Sequence, residues 1–546
     1  MPGPGIFVRS KYSLSPRTPL FEVVAEDHLG RIGRLRTRGG RVAETPLFLP
    51  VINPVTQDIP AGWMKENLGA EAVITNAYII LRRLRDEALR RGVHGILAFD
   101  GVVMTDSGGY QDLEYGGVEA SPEEIAELQE EMGSDIAVPL DIPTGLCSRE
   151  KAEESVEKTL RNLEITIEFL RKRGVRRCLW AAPIQGGIHL DLIHRCANRE
   201  KVMNFDLYAL GSPTPLMEGY RFDKLFQMIC AARSAVGFGK PLHLFGAGHP
   251  MIFPFIVALG VDMFDSASYI LYARDDRYMT ETGTIRVEKL DYLPCCCPIC
   301  SKMSAAELRQ LPRDERIKML AMHNLYICFM EVRRVKQAIR DGRLMELLEQ
   351  RARSHPSLYQ GFIEIMRNED LLRLMEEGAP TSGRRGVNLY DEVSLRRPLV
   401  RATRKKLLEN CLAGRARGGE ALLLPETMRL SLEKASRLPE NLDILFYGSP
   451  YGLIPLGLRY TYPFSQTNYP KALLDERLDE LLVEAVKQFE AAGYKRAYIL
   501  KPETRRLERF EMELARRLRE LGVDVMELES LKELVGGAGG GDGRNV

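Results

Sequence analysis

Three short stretches of this 546-residue chain gather side chains able to do chemistry. In the first, Thr105-Asp106-Ser107-Gly108-Gly109-Tyr110-Gln111, a carboxylate, a hydroxyl, two glycines, a flat aromatic and an amide follow one another. The glycines let the backbone turn sharply or come close to a ligand. The second, Met263-Phe264-Asp265-Ser266, supplies another carboxylate, 159 positions further on. Two carboxylates set across a sugar can exchange a glycosidic bond: one attacks the anomeric carbon and the other protonates the leaving group. A shared, enclosed site drives their proton affinities apart, which suits one as nucleophile and the other as acid. The competing role for each is structural, capping the helix that follows a strand. On residue types alone this is a pocket for a planar polar ring attached to a sugar.

The third stretch is Cys295-Cys296-Cys297-Pro298-Ile299-Cys300, with His323 downstream. Cys295, Cys297 and Cys300 have the spacing C-x-C-x-x-C, and His323 follows after 22 intervening residues. Three thiolates and one imidazole complete a tetrahedral zinc shell with no open position, so one structural zinc per chain is expected. Cys296 is the surplus thiol and is expected to point away.

Elements must bring these residues together. Short apolar runs at 72–75, 101–104, 179–184, 206–210, 242–245 and 261–264 read as buried strands. Amphipathic stretches such as 122–132, 152–173 and 221–236 lie between them. Strand–helix alternation over this length predicts an α/β fold with a parallel sheet closed into a (β/α)8 barrel. Asp106, Asp141, Gln185, Gly211, Gly246 and Asp265 each sit just beyond an apolar run. Barrel strands deliver their C-terminal ends to one face, so all six are expected to converge there.

Composition bounds the rest. Hydrophobic residues are 45% and charged residues 28%, ordinary for a soluble globular protein. A net charge of +1 excludes a globally basic RNA-coating protein but leaves room for a local patch. No apolar run is long enough to span a membrane, and the N-terminus lacks a signal-peptide core. A cytoplasmic chain with mostly reduced cysteines is expected. The expected organisation is a flexible arm over 1–20, a catalytic barrel over 21–350 with a zinc subdomain near 291–325, and a helical connector over 351–383. A C-terminal α/β domain over 384–535 and a flexible tail over 536–546 complete it. Residues 384–417 carry ten Lys and Arg against three acids. Such a run is either a solvated helix face or a phosphate-contacting patch, with Arg401, Arg404, Lys405 and Lys406 as its candidates.

Taken together, these segments resemble the tRNA-guanine transglycosylases, and more closely the archaeal type. The resemblance covers about residues 20–345 and extends into the C-terminal region. It rests on Thr105–Gln111, Asp135-Ile136-Ala137-Val138-Pro139-Leu140-Asp141-Ile142-Pro143-Thr144, Ile184-Gln185-Gly186-Gly187, Leu244-Phe245-Gly246-Ala247-Gly248-His249-Pro250, Met263–Ser266 and the cysteine–histidine signature. Glu114-Tyr115-Gly116-Gly117-Val118-Glu119 and the 457–466 segment add to the archaeal likeness. The resemblance implies exchange of guanine in tRNA for 7-cyano-7-deazaguanine, at position 15 of the D arm, on the path to archaeosine. It implies Asp265 as the nucleophile on ribose C1′ and Asp106 as general acid/base. Asp141, Ser107 and Gln185 would hydrogen-bond the base beside Gly211 and Gly246, and Tyr110 with Phe245 would stack it. The expected partners are tRNA, guanine and the deazaguanine, with a homodimer as the assembly. Two features depart from the family pattern. Ser212 stands where members carry a second glycine, which predicts a more crowded base pocket. No match to the C-terminal pseudouridine-synthase-and-archaeosine-transglycosylase (PUA) domain occurs before Val546, which predicts a grip on tRNA that is weaker or supplied by a separate chain. The alternatives are a paralogue acting later in archaeosine synthesis, a non-catalytic tRNA-binding subunit, and a zinc hydrolase. The intact carboxylates oppose the first two, and a closed zinc shell opposes the third.

Overall fold

The computed structural model describes residues 19–109, 120–416, 419–431, 435–503 and 505–536. The chain divides into two compact units. Among the described residues, the first comprises those within 19–25, 30–336 and 351–361, and the second those within 26–29, 337–350 and 362–536.

The first unit is the expected barrel. Its strands are β1 (Leu47–Pro50), β2 (Ala72–Asn76), β3 (Val102–Asp106), β4 (Ile136–Ala137), β5 (Leu179–Ile184), β6 (Leu207–Leu210), β7 (Leu242–Leu244) and β8 (Met263–Ser266). They lie parallel in the order β1-β8-β7-β6-β5-β4-β3-β2. A parallel bridge between Val51 and Ile74 joins the two ends of that order. Helices cross between the strands, as parallel pairing requires. They include Ala61–Leu68, Pro122–Glu131, Arg149–Arg173, Leu190–Lys201 and Phe222–Val236. Ser121 starts one of them with a capping box to Glu124, and Asn76 caps the helix after β2 through Ile79 N–H.

Side chains of period two fill the interior. Leu47, Leu49, Ala72, Ile74, Val102, Met104, Ile136, Val138, Leu179, Ala181, Leu207, Ala209 and Met263 form one buried cluster. Each large aliphatic member contributes about 1.5–3 kcal/mol by leaving water. The same alternation, carried one step further along each strand, explains the site. Met104 is followed on the inner face by Asp106, Ala209 by Gly211 and Met263 by Asp265.

The second unit has its own five-stranded sheet. Its strands are β9 (Glu420–Pro425), β10 (Leu442–Ser449), β11 (Gly452–Pro455), β12 (Arg496–Leu500) and β13 (Asp524–Leu528), in the order β11-β10-β9-β12-β13. Only β11 runs antiparallel to its neighbour. Helices Leu478–Ala492 and Glu508–Glu520 help bury its core. Among the described residues, no helix is long and apolar enough to cross a membrane.

Candidate active site

The C-terminal mouth of the barrel holds three carboxylates, Asp106, Asp141 and Asp265. Burial, then the negative charges of Asp141 and Asp265, push the Asp106 carboxyl up to about 7; backbone N–H groups of Gly108 and Ser107 oppose the shift only in part. Asp106 ends β3 and Asp265 lies near the end of β8, at the same mouth of the barrel.

Asp141 is the centre of a polar cradle. Ser107 Oγ donates to Asp141 Oδ1 at 3.0 Å, and Gln185 Nε2 donates to Asp141 Oδ2 at 2.7 Å. Burial raises the Asp141 carboxyl, with these two hydrogen bonds acting against it. The Gln185 amide is held in one orientation, because its Oε1 accepts from Thr144 N at 3.1 Å and from Ser212 Oγ at 2.9 Å. Ser212 has φ +63°, the left-handed region that costs a side-chain-bearing residue roughly 1 kcal/mol or more. Its hydroxyl also accepts from Gly145 N at 3.1 Å. The side chain expected to crowd the base pocket is thus taken up in the network that orients Gln185. Gly211 lies against the same amide: a Cβ there would come within 2.2 Å of Gln185 Nε2.

Asp265 lies in β8, and the helix after it, Ser268–Arg274, takes no side-chain cap from it. The capping role open to this residue on sequence grounds is not the one it performs. Its Oδ1 instead accepts from Gly246 N at 3.0 Å and from His243 Nε2 at 2.9 Å. Phe245 stands edge-on to His243, with ring centroids 4.8 Å apart. Tyr110, Gln111 and the 114–119 segment lie outside the described residues.

The structure therefore brings Asp106, Ser107, Asp141, Gln185, Gly211, Gly246 and Asp265 to the same end of the barrel. Sequence reasoning missed His243, Thr144 and the engagement of Ser212. For His243 a signal existed: it shares strand parity with Phe245, so an otherwise apolar inner face carries an imidazole.

The metal candidate is separate from this mouth. One ligand atom from each of Cys295, Cys297, Cys300 and His323 fall within 4.8 Å of one another. His323, on helix Arg313–Asp341, presents Nδ1 to Cys300 Sγ at 3.3 Å and Cys297 Sγ at 3.6 Å. Its Nε2 donates to the Met279 carbonyl at 2.8 Å, which leaves the Nδ1 lone pair facing the thiols. Tyr278 stacks on the ring at 3.7 Å. Cys296 is exposed and outside the cluster, as expected. Four ligand atoms at this mutual spacing suit a tetrahedral ion.

The basic segment of the second unit is less free than its charge suggests. Arg397 is buried against Glu349, and Arg401 pairs with Glu369 and Glu376. Arg404 pairs with Glu480 at 3.1 Å and donates to the Pro450 carbonyl. Lys405 and Lys406 are exposed. Arg417 lies outside the described residues.

A parallel barrel with opposed carboxylates and a planar polar cradle at its mouth has the form of an enzyme acting on a glycosidic bond. A family model described as queuine tRNA-ribosyltransferase matches residues 27–357. The chain is 45% identical over 460 residues to a tRNA-guanine(15) transglycosylase of Aeropyrum pernix, covering 83% of this chain and 88% of that one. It is 42% identical over 472 residues to one of Methanosarcina barkeri, covering 86% and 91%. One of Pyrococcus abyssi is 39% identical over 477 residues, covering 87% and 74%. The chain belongs to the queuine tRNA-ribosyltransferase family, and as a member it is a pentosyltransferase.

Proposed function

We propose that this enzyme exchanges guanine at position 15 of tRNA for 7-cyano-7-deazaguanine, through a covalent aspartyl–ribose intermediate. The observation that carries the reading is the placing of Asp106 and Asp265 at the C-terminal ends of strands of one barrel, beside the Asp141–Gln185–Ser107 cradle. The relatives, named as tRNA-guanine(15) transglycosylases, support the tRNA position.

The steps balance. Asp265 attacks ribose C1′, and the bond from C1′ to guanine breaks. Asp106, with its proton affinity near neutrality, is suited to give the departing base a proton. The incoming deazaguanine returns a proton to Asp106 as its ring nitrogen attacks C1′ and displaces Asp265. One glycosidic bond is lost and one is made, so no nucleotide triphosphate is consumed. Asp141, its oxygens already turned by Ser107 and Gln185, is placed to accept from the N1–H and exocyclic amine of a guanine-like ring. Phe245 offers the ring an apolar face. The reacting nucleotide must leave its stack to enter, at a cost of a few kcal/mol.

The cluster of Cys295, Cys297, Cys300 and His323 fits zinc. Four protein ligands leave no water position, so zinc there would tie the 295–300 loop to the helix carrying His323 and take no part in the reaction. Elemental analysis of the purified chain tests this. All ten cysteines are unpaired, which fits a reducing, cytoplasmic compartment. For tRNA phosphates, exposed Lys405 and Lys406 are better placed than Arg401 and Arg404, whose guanidinium groups already hold carboxylates.

The test of the whole reading is exchange of radiolabelled guanine into unmodified tRNA, followed by mapping of the label. Incorporation at position 15, reversed by 7-cyano-7-deazaguanine, is expected. Label elsewhere, or none, overturns the assignment.

A further inference from the structure

Among the described residues, Asp265 meets no arginine or lysine. Its Oδ1 takes two donors, the Gly246 N–H at 3.0 Å and His243 Nε2 at 2.9 Å. Its Oδ2 accepts no hydrogen bond among the described residues. The two oxygens are therefore unequal: one is anchored and the other is left for chemistry. Both anchors come from a single neighbouring strand and its end. His243 pairs in register with Met263, two residues before Asp265 on the same inner face. The imidazole is fully buried on this face, and its Nδ1 has no partner among the described residues.

The protonation pattern follows from these contacts. An ionised carboxylate can only accept. Nε2 is thus the ring nitrogen that carries the hydrogen shared with Asp265. This donor, with the Gly246 N–H, orients the carboxylate through Oδ1 and leaves Oδ2 uncommitted among the described residues.

We propose that His243 is a positioning residue for this reaction, which fixes the Asp265 rotamer through Oδ1 so that Oδ2 is the atom that attacks ribose C1′. The proposal rests on Asp265 being the nucleophile. A carboxylate free to swing would lose near-attack geometry, and a displacement of about 1 Å costs on the order of 100-fold in rate.

The test compares His243→Gln, His243→Asn and His243→Phe in the full chain, with Asp265→Asn beside them. The Gln amide nitrogen reaches about where Nε2 sits; the Asn amide stops short; Phe fills the space without a donor. The expected result is kcat for guanine exchange within a few-fold of the parent for Gln, and lower by about 30- to 100-fold for Asn and Phe. KM for tRNA should stay within about twofold, because the side chain touches no RNA phosphate. The covalent protein–RNA band on denaturing gels should form more slowly in the Asn and Phe variants. Three results overturn the proposal: Phe or Asn turning over like the parent, Gln as slow as Asn with its fold intact, or a change confined to KM. Should Phe fail to fold, the contrast between Gln and Asn decides. The failures are distinguishable, since an active Asp265→Asn variant removes the nucleophile itself, whereas an inactive one beside unimpaired His243 variants removes only the positioning role.

Discussion

The two ends of the same barrel strand carry aspartates in opposite circumstances. Just before β8, at the N-terminal end of the barrel, Asp262 is saturated. Arg31 donates to it at 2.7 and 2.9 Å, Arg233 at 3.2 Å and Leu242 N–H at 2.8 Å. Three residues later, at the C-terminal end, Asp265 accepts from the Gly246 N–H and the His243 imidazole and meets no arginine or lysine among the described residues. A second pair repeats the pattern. Asp135, just before β4, has Arg41 at 3.2 Å, His94 at 3.1 Å and the Val103 N–H at 3.0 Å. Although burial works against it, those partners hold its carboxyl below the usual range. Asp106, at the end of β3, is pushed up instead, by burial and by two like charges. The lesson concerns neutralisation. Where the barrel needs rigidity, each carboxylate is matched by cations; where it needs chemistry, carboxylates are left facing one another.

The contrast should show most strongly in Asp265→Asn. Exchange should fall by about 10⁴-fold with tRNA binding nearly intact, and the covalent band should vanish. Undiminished turnover would mean that the unneutralised end is not where bonds are made.

Asp262→Asn should do the reverse. It leaves Arg31 and Arg233 buried without a counter-charge, and stability should drop by about 3 kcal/mol or more in chemical denaturation. The rate per folded molecule should hardly change. A large loss of rate at full stability would erase the distinction between the ends.

Asp106→Asn sharpens the comparison through pH. The folded-state pKa is raised to about 7 from an ordinary carboxylate value, so the folded state prefers the protonated acid. Stability tied to this group is full below about pH 4 and is lost as pH rises through 7. The Asn variant should therefore be more stable than the parent at pH 8, by about 1–3 kcal/mol, and indistinguishable near pH 4. Exchange should be lost at both. Equal denaturation midpoints at pH 8 would show that Asp106 is not under the strain described.

The smallest effect belongs to the second unit. Replacing Lys405 and Lys406 with Gln should weaken tRNA binding modestly and flatten its dependence on salt by about one slope unit per contact removed. Saturated rate should hold. Replacing Arg401, which already holds Glu369 and Glu376, should lower stability instead. An unchanged salt slope in the lysine variant would make the run a solvated face.

Much of the site was legible because its members recur at the ends of apolar runs. Asp106, Gly211 and Asp265 continue the inward alternation of Met104, Ala209 and Met263, and period-two patterning is visible in one dimension. The cysteine cluster was legible for a similar reason, since thiol spacing is itself a ligand geometry. Other features depended on distances between strands far apart in the chain. Nothing local in Leu242-His243-Leu244 says that the imidazole meets a carboxylate 22 residues on; parallel pairing of β7 with β8 decides it. Ser212 read as an intruding side chain, yet its backbone conformation turns the hydroxyl onto Gln185. The basic run read as either a solvated face or a patch, because counting charges ignores partners. Glu349, Glu369, Glu376 and Glu480 are brought to it only by the fold. Residue type and spacing determined which groups can react and which can bind metal. Tertiary structure alone decided which charges are neutralised, because a charge is neutralised through space, by whatever the fold sets within about 4 Å of it.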